Sequence, residues 1–199
     1  MKKHARLARE QLEIKRLKTQ QVSTRIQDAV QNVKGIDRGH AMIDSVRGTL
    51  RVIDKRSNAR TSAQISAHEY ILASGASYFY GEDFHSNELK IKTRNRFESL
   101  LKGVLLTAPR RFGKTVIIIM MIVALMLNCP NIVIVCVSGN KNAAGQEVGI
   151  LGKVRKCLMR DFGVLRSSFD RKNDQHLMYK INDGDVRELH SYSGKSGDR

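Results

Sequence analysis

Apolar residues are spread unevenly along the chain, and their spacing changes near Gly103. In the stretch up to Lys34, which has neither proline nor glycine, apolar residues recur at the spacing of one helix face within a polar, basic background. This stripe consists of Val22, Ile26, Val30 and Val33. We therefore predict a long helix there, either a solvated or partly disordered arm or one that docks on a partner or contacts DNA. A further helix is predicted around Ala63–Ser74.

An aromatic cluster follows this first half of the chain. Its members are Tyr78, Phe79, Tyr80 and Phe84. Aromatic side chains among basic residues can stack on nucleic-acid bases, but packing against the core is the interpretation we favour.

From Gly103 onward the pattern predicts an α/β unit. A short apolar strand, Val104–Leu106, leads into a glycine-bearing loop, then an apolar helix over Lys114–Leu127 and a second strand over Ile132–Val137. Both strands are apolar on both faces, which is typical of a parallel sheet covered on both sides.

The rest of this unit is predicted as one helix and one hairpin. The helix spans Ala143–Asp161, and one of its faces carries Val148, Leu151, Val154 and Leu158. The hairpin joins a strand at Leu177–Ile181 to a strand at Val186–His190 through the turn-forming Asn182–Asp185.

The net charge of the chain indicates which class of partner it binds. The chain of 199 residues has a formal net charge of +16, and residues 1–60 contain 15 Lys and Arg against 6 Asp and Glu. Such a positive field attracts polyanions, most commonly nucleic acid and more weakly an anionic membrane surface.

The cysteines, the first residues and the longest apolar run indicate the compartment and whether a membrane is a partner. The odd number of cysteines, without a C-x-x-C pair, predicts reduced, buried thiols at Cys129, Cys136 and Cys157. The opening Met1–His4 lacks the apolar region of a secretory signal, so an intracellular, non-secreted protein is expected. The longest apolar run, Val116–Leu127, has 12 residues, whereas a membrane span needs about 20. We predict a buried helix and no membrane partner.

The loop Ala108–Thr115 matches the phosphate-binding pattern G-x-x-x-x-G-K-[ST] except that alanine replaces the first glycine. Gly113 would let backbone N–H groups approach a phosphate. Lys114 would place its charge on the outer phosphates, and Thr115 would offer its hydroxyl to Mg²⁺ at the start of a helix. The alternative is a structural strand-turn-helix with a surface lysine.

A second Gly-Lys-Ser tripeptide, Gly194–Ser196, tests how specific this match is. There Leu189 stands in place of the first glycine and only three residues follow. At Gly113 we expect an apolar strand to end directly before the loop and an apolar helix to begin directly after it, which is the context that phosphate binding requires. Within the loop, Arg110 or Arg111 could stabilise charge on the γ-phosphate. For Arg111 we favour a side chain facing solvent or DNA.

These residues resemble a specific family. Thr107–Thr115 resembles the P-R-x-x-G-K-T variant of the phosphate loop in the terminase large subunits of herpesviruses and tailed phages, which also lacks the first glycine. Ile132–Ala144 looks like the family's next strand and polar loop, and Tyr179–Ser193 resembles its hairpin before a small polar loop, which would here end at Arg199. The resemblance covers about half the chain, from Val104 to Arg199.

The resemblance implies a P-loop NTPase fold, with a partial parallel sheet and flanking helices, in an α/β domain over residues 76–199. A basic, mainly helical extension over residues 1–75 would precede it. It implies an ATP-driven motor that moves double-stranded DNA into a capsid, with portal, capsid and other terminase subunits as partners, possible self-association, and action in the host cell where capsids are packaged. Lys114 and Arg110 would be catalytic and Thr115 would hold Mg²⁺. The ATP-binding residues would be Pro109, Arg110, Arg111, Phe112, Gly113, Lys114 and Thr115.

The family's Walker B strand, ending in Asp-Glu, and its nuclease carboxylates are missing from this sequence. Without those groups ATP hydrolysis should be very slow, so enzymatic activity of the chain itself is left open. We expect the chain to be a piece of a longer or split protein. Two alternatives remain: a basic nucleic-acid-binding or virion-associated protein with a relic phosphate loop, and a helicase fragment.

Overall fold

A computed structural model of the chain describes two compact units, a helical one that ends at Cys129 and a sheet-containing one that begins at Pro130. The described residues are 35–56, 59–138, 149–173, 175–182 and 184–193. The predicted arm over residues 1–34, the tripeptide Gly194–Ser196 and Arg199 lie outside them.

The helical unit is built from α1 (Ile36–Arg56), α2 (Ser62–Ser74), the short helices α3 (Ala76–Tyr80) and α4 (Asp83–Ser86), α5 (Glu88–Asn95) and α6 (Lys114–Asn128). The predicted helix around Ala63–Ser74 is confirmed as α2. Helix α1 packs against α6 and α3. The fully buried side chains of this unit's core include Ile43, Val46, Leu50, Leu72, Ile91, Ile117 and Met126.

Helix α2 begins at a reciprocal cap. The Thr61 hydroxyl accepts a hydrogen bond from the backbone N–H of Gln64, and the Gln64 side-chain oxygen accepts one from the backbone N–H of Thr61. Each bond satisfies a donor that the first turn of a helix otherwise leaves open. The sequence Thr-x-x-Gln therefore fixes where α2 starts.

The apolar helix after the glycine loop is confirmed as α6, one residue longer than predicted. The strand predicted at Val104–Leu106 is wrong: residues 103–109 form neither helix nor strand, and Leu105 is 89% exposed. A strand is stabilised by pairing with a neighbour. The described residues of the helical unit contain no strand with which this run could pair.

The aromatic cluster divides between the core and the surface. Phe79 and Tyr80 are buried, and the Tyr80 ring lies against Gly39 of α1, where even a Cβ would clash with it. Tyr78 is exposed and Phe84 is half-buried. The core-packing interpretation is thus confirmed for Phe79 and Tyr80.

The sheet-containing unit holds β1 (Val133–Ser138), α7 (Ile150–Phe162), a 3-10 turn (Arg166–Ser168), β2 (Phe169–Asn173), β3 (His176–Asn182) and β4 (Asp185–Ser193). The sheet order is β1-β4-β3-β2; β1 is parallel to β4 and the other neighbours are antiparallel. The strand at Ile132–Val137 and the hairpin are confirmed. Strand β2 was not predicted. The first part of the helix predicted over Ala143–Asp161 lies outside the described residues.

One face of this sheet is buried and the other is partly open. Leu177 and Leu189 lie on the buried face, and α7, which packs on β4, buries its predicted apolar side chains Leu151, Val154 and Leu158. On the other face Val133, Val135 and Val137 of edge strand β1 are 59%, 58% and 72% exposed. The expectation of strands covered on both sides is therefore wrong for β1. The architecture is mixed α/β: one unit is helical, and the other has a four-stranded mixed sheet with α7 packed on β4.

Three further predictions can be compared with this architecture. The division at residues 75 and 76 stays a prediction, and it falls between α2 and α3 inside the helical unit. The cysteines are thiols in the structure; Cys129 is buried, as predicted, whereas Cys136 and Cys157 are half-buried. None of the helices in the described part of the chain has the length and apolar content needed to cross a bilayer.

Candidate functional site

The segment before α6 folds into a tight loop. The Phe112 N–H donates to the Pro109 carbonyl oxygen at 3.4 Å, and both Arg111 (φ +69°) and Gly113 (φ +86°) are left-handed. For a non-glycine residue such as Arg111 this conformation costs on the order of 1–3 kcal/mol. The chain thus turns sharply just before the helix begins at Lys114.

This turn wraps the loop backbone around the Lys114 ammonium. The ammonium donates a hydrogen bond to the Ala108 carbonyl oxygen and lies 3.4 Å from that of Pro109. The side chain is nevertheless exposed to solvent. The charge therefore lies against two consecutive carbonyl oxygens at the start of the loop and within reach of an incoming anion.

The N-terminus of α6 adds a second attraction for anions. Gly113 is its N-cap and, having no side chain, makes no side-chain capping bond. The N–H groups of a helix's first turn have no partners within the helix, and the helix dipole places partial positive charge there. The first turn of α6, which starts at Lys114, thus has backbone donors that an anion could bind.

The loop is strongly basic. Arg110, Arg111 and Thr115 are all exposed. No acidic residue occurs in the sequence between Glu98 and Glu147. The arrangement suits a polyanion such as a triphosphate. Thr115 could supply one hydroxyl to Mg²⁺, whose remaining ligands would be water and phosphate oxygens.

Gln64, which lies outside the loop in sequence, forms a hydrogen bond with it. This residue was not identified from the sequence. Its side-chain N–H donates to the Phe112 carbonyl oxygen at 2.9 Å, while its oxygen caps α2. The Thr-x-x-Gln pattern signals the cap, but no local signal identifies a contact made 48 residues along the chain. One amide therefore fixes both a helix start and the loop.

A partly buried polar chain that ends at the buried His68 contacts the first turns of α6. Arg60 is paired with Asp54, with Nη2 and Oδ2 2.8 Å apart, and its Nη1 donates to Nδ1 of His68 at 2.7 Å. Because a guanidinium can only donate, the His68 proton resides on Nε2, which donates to the Ile117 carbonyl oxygen at 2.9 Å. Burial lowers the pKa of His68, and the hydrogen bond from Arg60 lowers the pKa of Asp54. His68 is thus held neutral against α6.

Of the predicted site residues, the structure brings Lys114 against Ala108 and Pro109, and it places Gly113 at the helix start. It leaves Arg110 and Arg111 on the surface, and the apolar run before the loop is not a strand. The polar segment after β1 lies outside the described residues from Gly139 to Val148.

No protein-family model matches this chain, and no curated protein matches it significantly. We therefore infer its function from the residues and geometry of the loop.

Proposed function

We propose that residues Ala108–Thr115 bind the triphosphate of ATP together with Mg²⁺. The observation that carries the proposal is the junction at Gly113: a left-handed glycine starts a helix of 15 residues without a side-chain cap, and the next residue, Lys114, turns its ammonium onto a carbonyl oxygen of the same loop. The open N–H groups of the first turn, the helix dipole and the Lys114 charge would all attract a phosphate bound at this junction.

Each residue of the loop has a separate part in this proposal. Gly113 keeps the backbone open to a phosphate oxygen, because its lack of a Cβ leaves the amides uncovered. Lys114 would exchange its bond with the Ala108 carbonyl for the outer phosphate oxygens, a stronger charge-assisted contact. Thr115 would hold the Mg²⁺ ion. Bound Mg²⁺ supplies neutralisation of the phosphate charge.

Arg110 is the proposed partner of the γ-phosphate, as the resemblance implies. The planar guanidinium can bind two phosphate oxygens at once. Arg110 is exposed, so the side chain can reach a ligand without disturbing the core. Arg111 also faces solvent, and we assign it no bond to the nucleotide.

We further propose that this ATP-binding part belongs to a DNA-packaging motor of the terminase type. The Pro109-Arg110 variant of the loop supports that assignment, and the net charge of +16 suits a partner with the charge density of double-stranded DNA. Portal, capsid and neighbouring subunits would be further partners, in a host cell. Hydrolysis would depend on carboxylates from outside this chain.

No strand precedes the loop in the described residues, although phosphate loops of this type follow a strand. The proposal therefore depends on the loop and α6. A change confined to the loop should accordingly remove binding.

Titration of the purified chain with ribose-labelled fluorescent ATP and Mg²⁺ tests this directly. Lys114→Ala should weaken binding by about 10- to 100-fold, the value of one hydrogen bond to a charged phosphate. Lys195→Ala, in the second Gly-Lys-Ser tripeptide, is the matched control and should bind like the unchanged chain. Equal loss in both variants, or no loss in Lys114→Ala, would contradict the proposal.

The charge also favours a second candidate, a basic nucleic-acid-binding protein whose loop is a relic. That candidate predicts DNA binding that weakens steeply with salt but is indifferent to Lys114→Ala. Measuring affinity for double-stranded DNA at several salt concentrations, with and without Mg-ATP, separates the candidates. Only the motor predicts that nucleotide alters the DNA affinity of the unchanged chain and not that of Lys114→Ala.

A further inference from the structure

The partly open face of the sheet carries a cluster of three metal-ligating side chains, far outside the phosphate loop in sequence. His176 opens β3, and Glu188 and His190 lie two residues apart on β4. His176 and His190 are directly opposite each other in the antiparallel register. Because alternate residues of a strand share a face, all three side chains project from the same side.

The three side chains converge on one point. Glu188 Oε2 lies 2.9 Å from Nε2 of His176 and 3.0 Å from Nε2 of His190. The two imidazole rings stack with centroids 4.1 Å apart and an angle of 12° between their planes. One ligand atom from each residue lies within 4.8 Å of the other two. Two imidazole nitrogens and one carboxylate oxygen therefore lie close together on this face of the sheet.

We propose that His176, Glu188 and His190 bind one Zn²⁺ ion. Zn²⁺ sites with an open position use three protein ligands, two His and one Glu among them, at about 2.0–2.2 Å. Ligand atoms at those distances are separated by about 3.3 Å in a tetrahedral site. The observed separations of 2.9 and 3.0 Å are close to this value, and the two stacked rings would turn so that both Nε2 lone pairs point at one ion.

The donor set selects the ion class. Imidazole nitrogen suits zinc and its neighbours, whereas Mg²⁺ and Ca²⁺ require oxygen ligands. Among the N and O ligands here, two of three are imidazoles. A divalent transition ion is therefore favoured over the alkaline-earth ions.

The surroundings of His190 fit the proton rearrangement that binding requires. Tyr192 Oη lies 3.2 Å from Nδ1 of His190, so the hydroxyl can donate to that nitrogen while Nε2 carries the ring proton. With Zn²⁺ on Nε2, the ring proton moves to Nδ1, which then donates to the same hydroxyl oxygen. A partner of this kind fixes the orientation of a metal-binding imidazole.

The site is also reachable from solvent. Glu188 and His190 are half-buried, and the aligned neighbours on β1, Val133 and Val135, are themselves exposed. Val side chains supply no ligand, so the fourth position is open to water. This site does not depend on the proposed phosphate loop, and either can fail without the other.

The alternative is a His-Glu-His hydrogen-bond network that binds no ion. Titrating the chelator-treated full chain with Co²⁺, followed by visible absorption, and then displacing Co²⁺ with Zn²⁺ separates the two possibilities. We expect one equivalent of Co²⁺ with the intense absorption of low-coordinate cobalt. His190→Ala and Glu188→Gln should each weaken binding by at least about tenfold, the lower end of what even indirect partners of a metal ligand cost.

His85→Ala is the matched control, since His85 forms an exposed pair with Glu88 at 3.3 Å and should not affect Co²⁺ binding. Far-UV circular dichroism checks folding, and Glu188→Gln, which keeps the side-chain shape, decides the outcome if His190→Ala unfolds. The proposal is overturned if the unchanged chain binds no Co²⁺, if binding survives in the folded variants, or if thiolate-to-cobalt absorption assigns the ion to cysteine.

Discussion

The side-chain amide of Gln64 donates a 2.9 Å hydrogen bond to the carbonyl oxygen of Phe112 and so ties the first turn of α2 to the loop before α6. The same amide completes the cap with Thr61. The geometry of the loop before α6 therefore depends on Gln64, which also caps the start of α2. The two roles of Gln64 can be separated by substitution.

Gln64→Glu should weaken Mg-ATP binding by about tenfold, the equivalent of one hydrogen bond. Glutamate keeps the oxygen that caps α2 but cannot donate to Phe112, and its charge repels phosphate. Thr61→Ala instead removes the cap of α2 and leaves the bond from Gln64 to Phe112 in place. It should lower the free energy of unfolding by about 1 kcal/mol and leave the affinity for ATP within about twofold of the unchanged chain. Binding titrations and urea unfolding of both variants measure this. Equal affinities in the two variants would argue against a positioning role for Gln64.

Gly113→Ala should destabilise the helical unit by about 1–2 kcal/mol, because a Cβ is disfavoured at a left-handed φ of +86°. The added Cβ would also lie 3.0 Å from the side-chain nitrogen of Gln64. Gly48→Ala is the matched control: Gly48 lies inside α1 with nothing within 4 Å of where the added methyl group would lie, so alanine should stabilise by about 0.5–1 kcal/mol. Thermal unfolding that shifts both variants in the same direction would contradict this.

Stability should fall as the pH is lowered below about 6.5, the pKa of an unperturbed histidine. Burial lowers the pKa of His68 in the folded chain, so between that value and 6.5 the unfolded chain binds a proton that the folded chain does not. The stabilisation is therefore complete above pH 6.5 and is lost as the pH falls towards the folded pKa. The slope is at most about 1.4 kcal/mol per pH unit for each such group.

Urea unfolding of His68→Gln between pH 7.5 and 5 should show a shallower slope than the unchanged chain. Part of the slope should remain, because burial also lowers the pKa of His40. His85→Gln serves as control, since the His85 side chain is 86% exposed. A slope unchanged by His68→Gln would exclude His68 as its source.

Asp185→Ala should destabilise the sheet-containing unit by about 3–5 kcal/mol, because it removes the carboxylate from a buried guanidinium. Asp185 and Arg187 are both buried, with Oδ2 and Nη2 2.5 Å apart. The double variant Asp185→Ala, Arg187→Met should be closer to the unchanged chain than Asp185→Ala alone. Asp37→Ala, which breaks an exposed pair with Arg94, should cost less than about 1 kcal/mol. Denaturant midpoints test all three, and a double variant less stable than the single one would contradict this expectation.

Local chemistry made part of this fold predictable. The turn-forming residues Asn182–Asp185 predict the hairpin, and in the structure the Asn182 side chain accepts a hydrogen bond from the Gly184 N–H at 3.0 Å. Helix α6 was recognised because its apolar run starts at a glycine and lacks breakers. In each case the signal and the structure lie within a few residues of one another.

The failures involve strands whose existence depends on a partner. Val104–Leu106 is apolar but has no strand to pair with in the described part of its unit, so it stays irregular. Strand β2, Phe169–Asn173, has no apolar alternation, yet it forms against β3. A strand is stabilised by its contacts with a partner strand that lies elsewhere in the chain. The local sequence pattern does not show whether such a partner exists.

The sequence by itself determined the start of α2, the course of α6, the β3–β4 turn and the residue types of the phosphate loop, because these depend on backbone preferences and capping within a few positions. Only the tertiary structure decided that Gln64 reaches Phe112 across 48 residues, that His68 reaches the Ile117 carbonyl across 49, and that His176 stands opposite His190. The reason is physical: such contacts arise when helices pack and strands align, and the chain pays their loop-closure entropy only once the whole unit has folded.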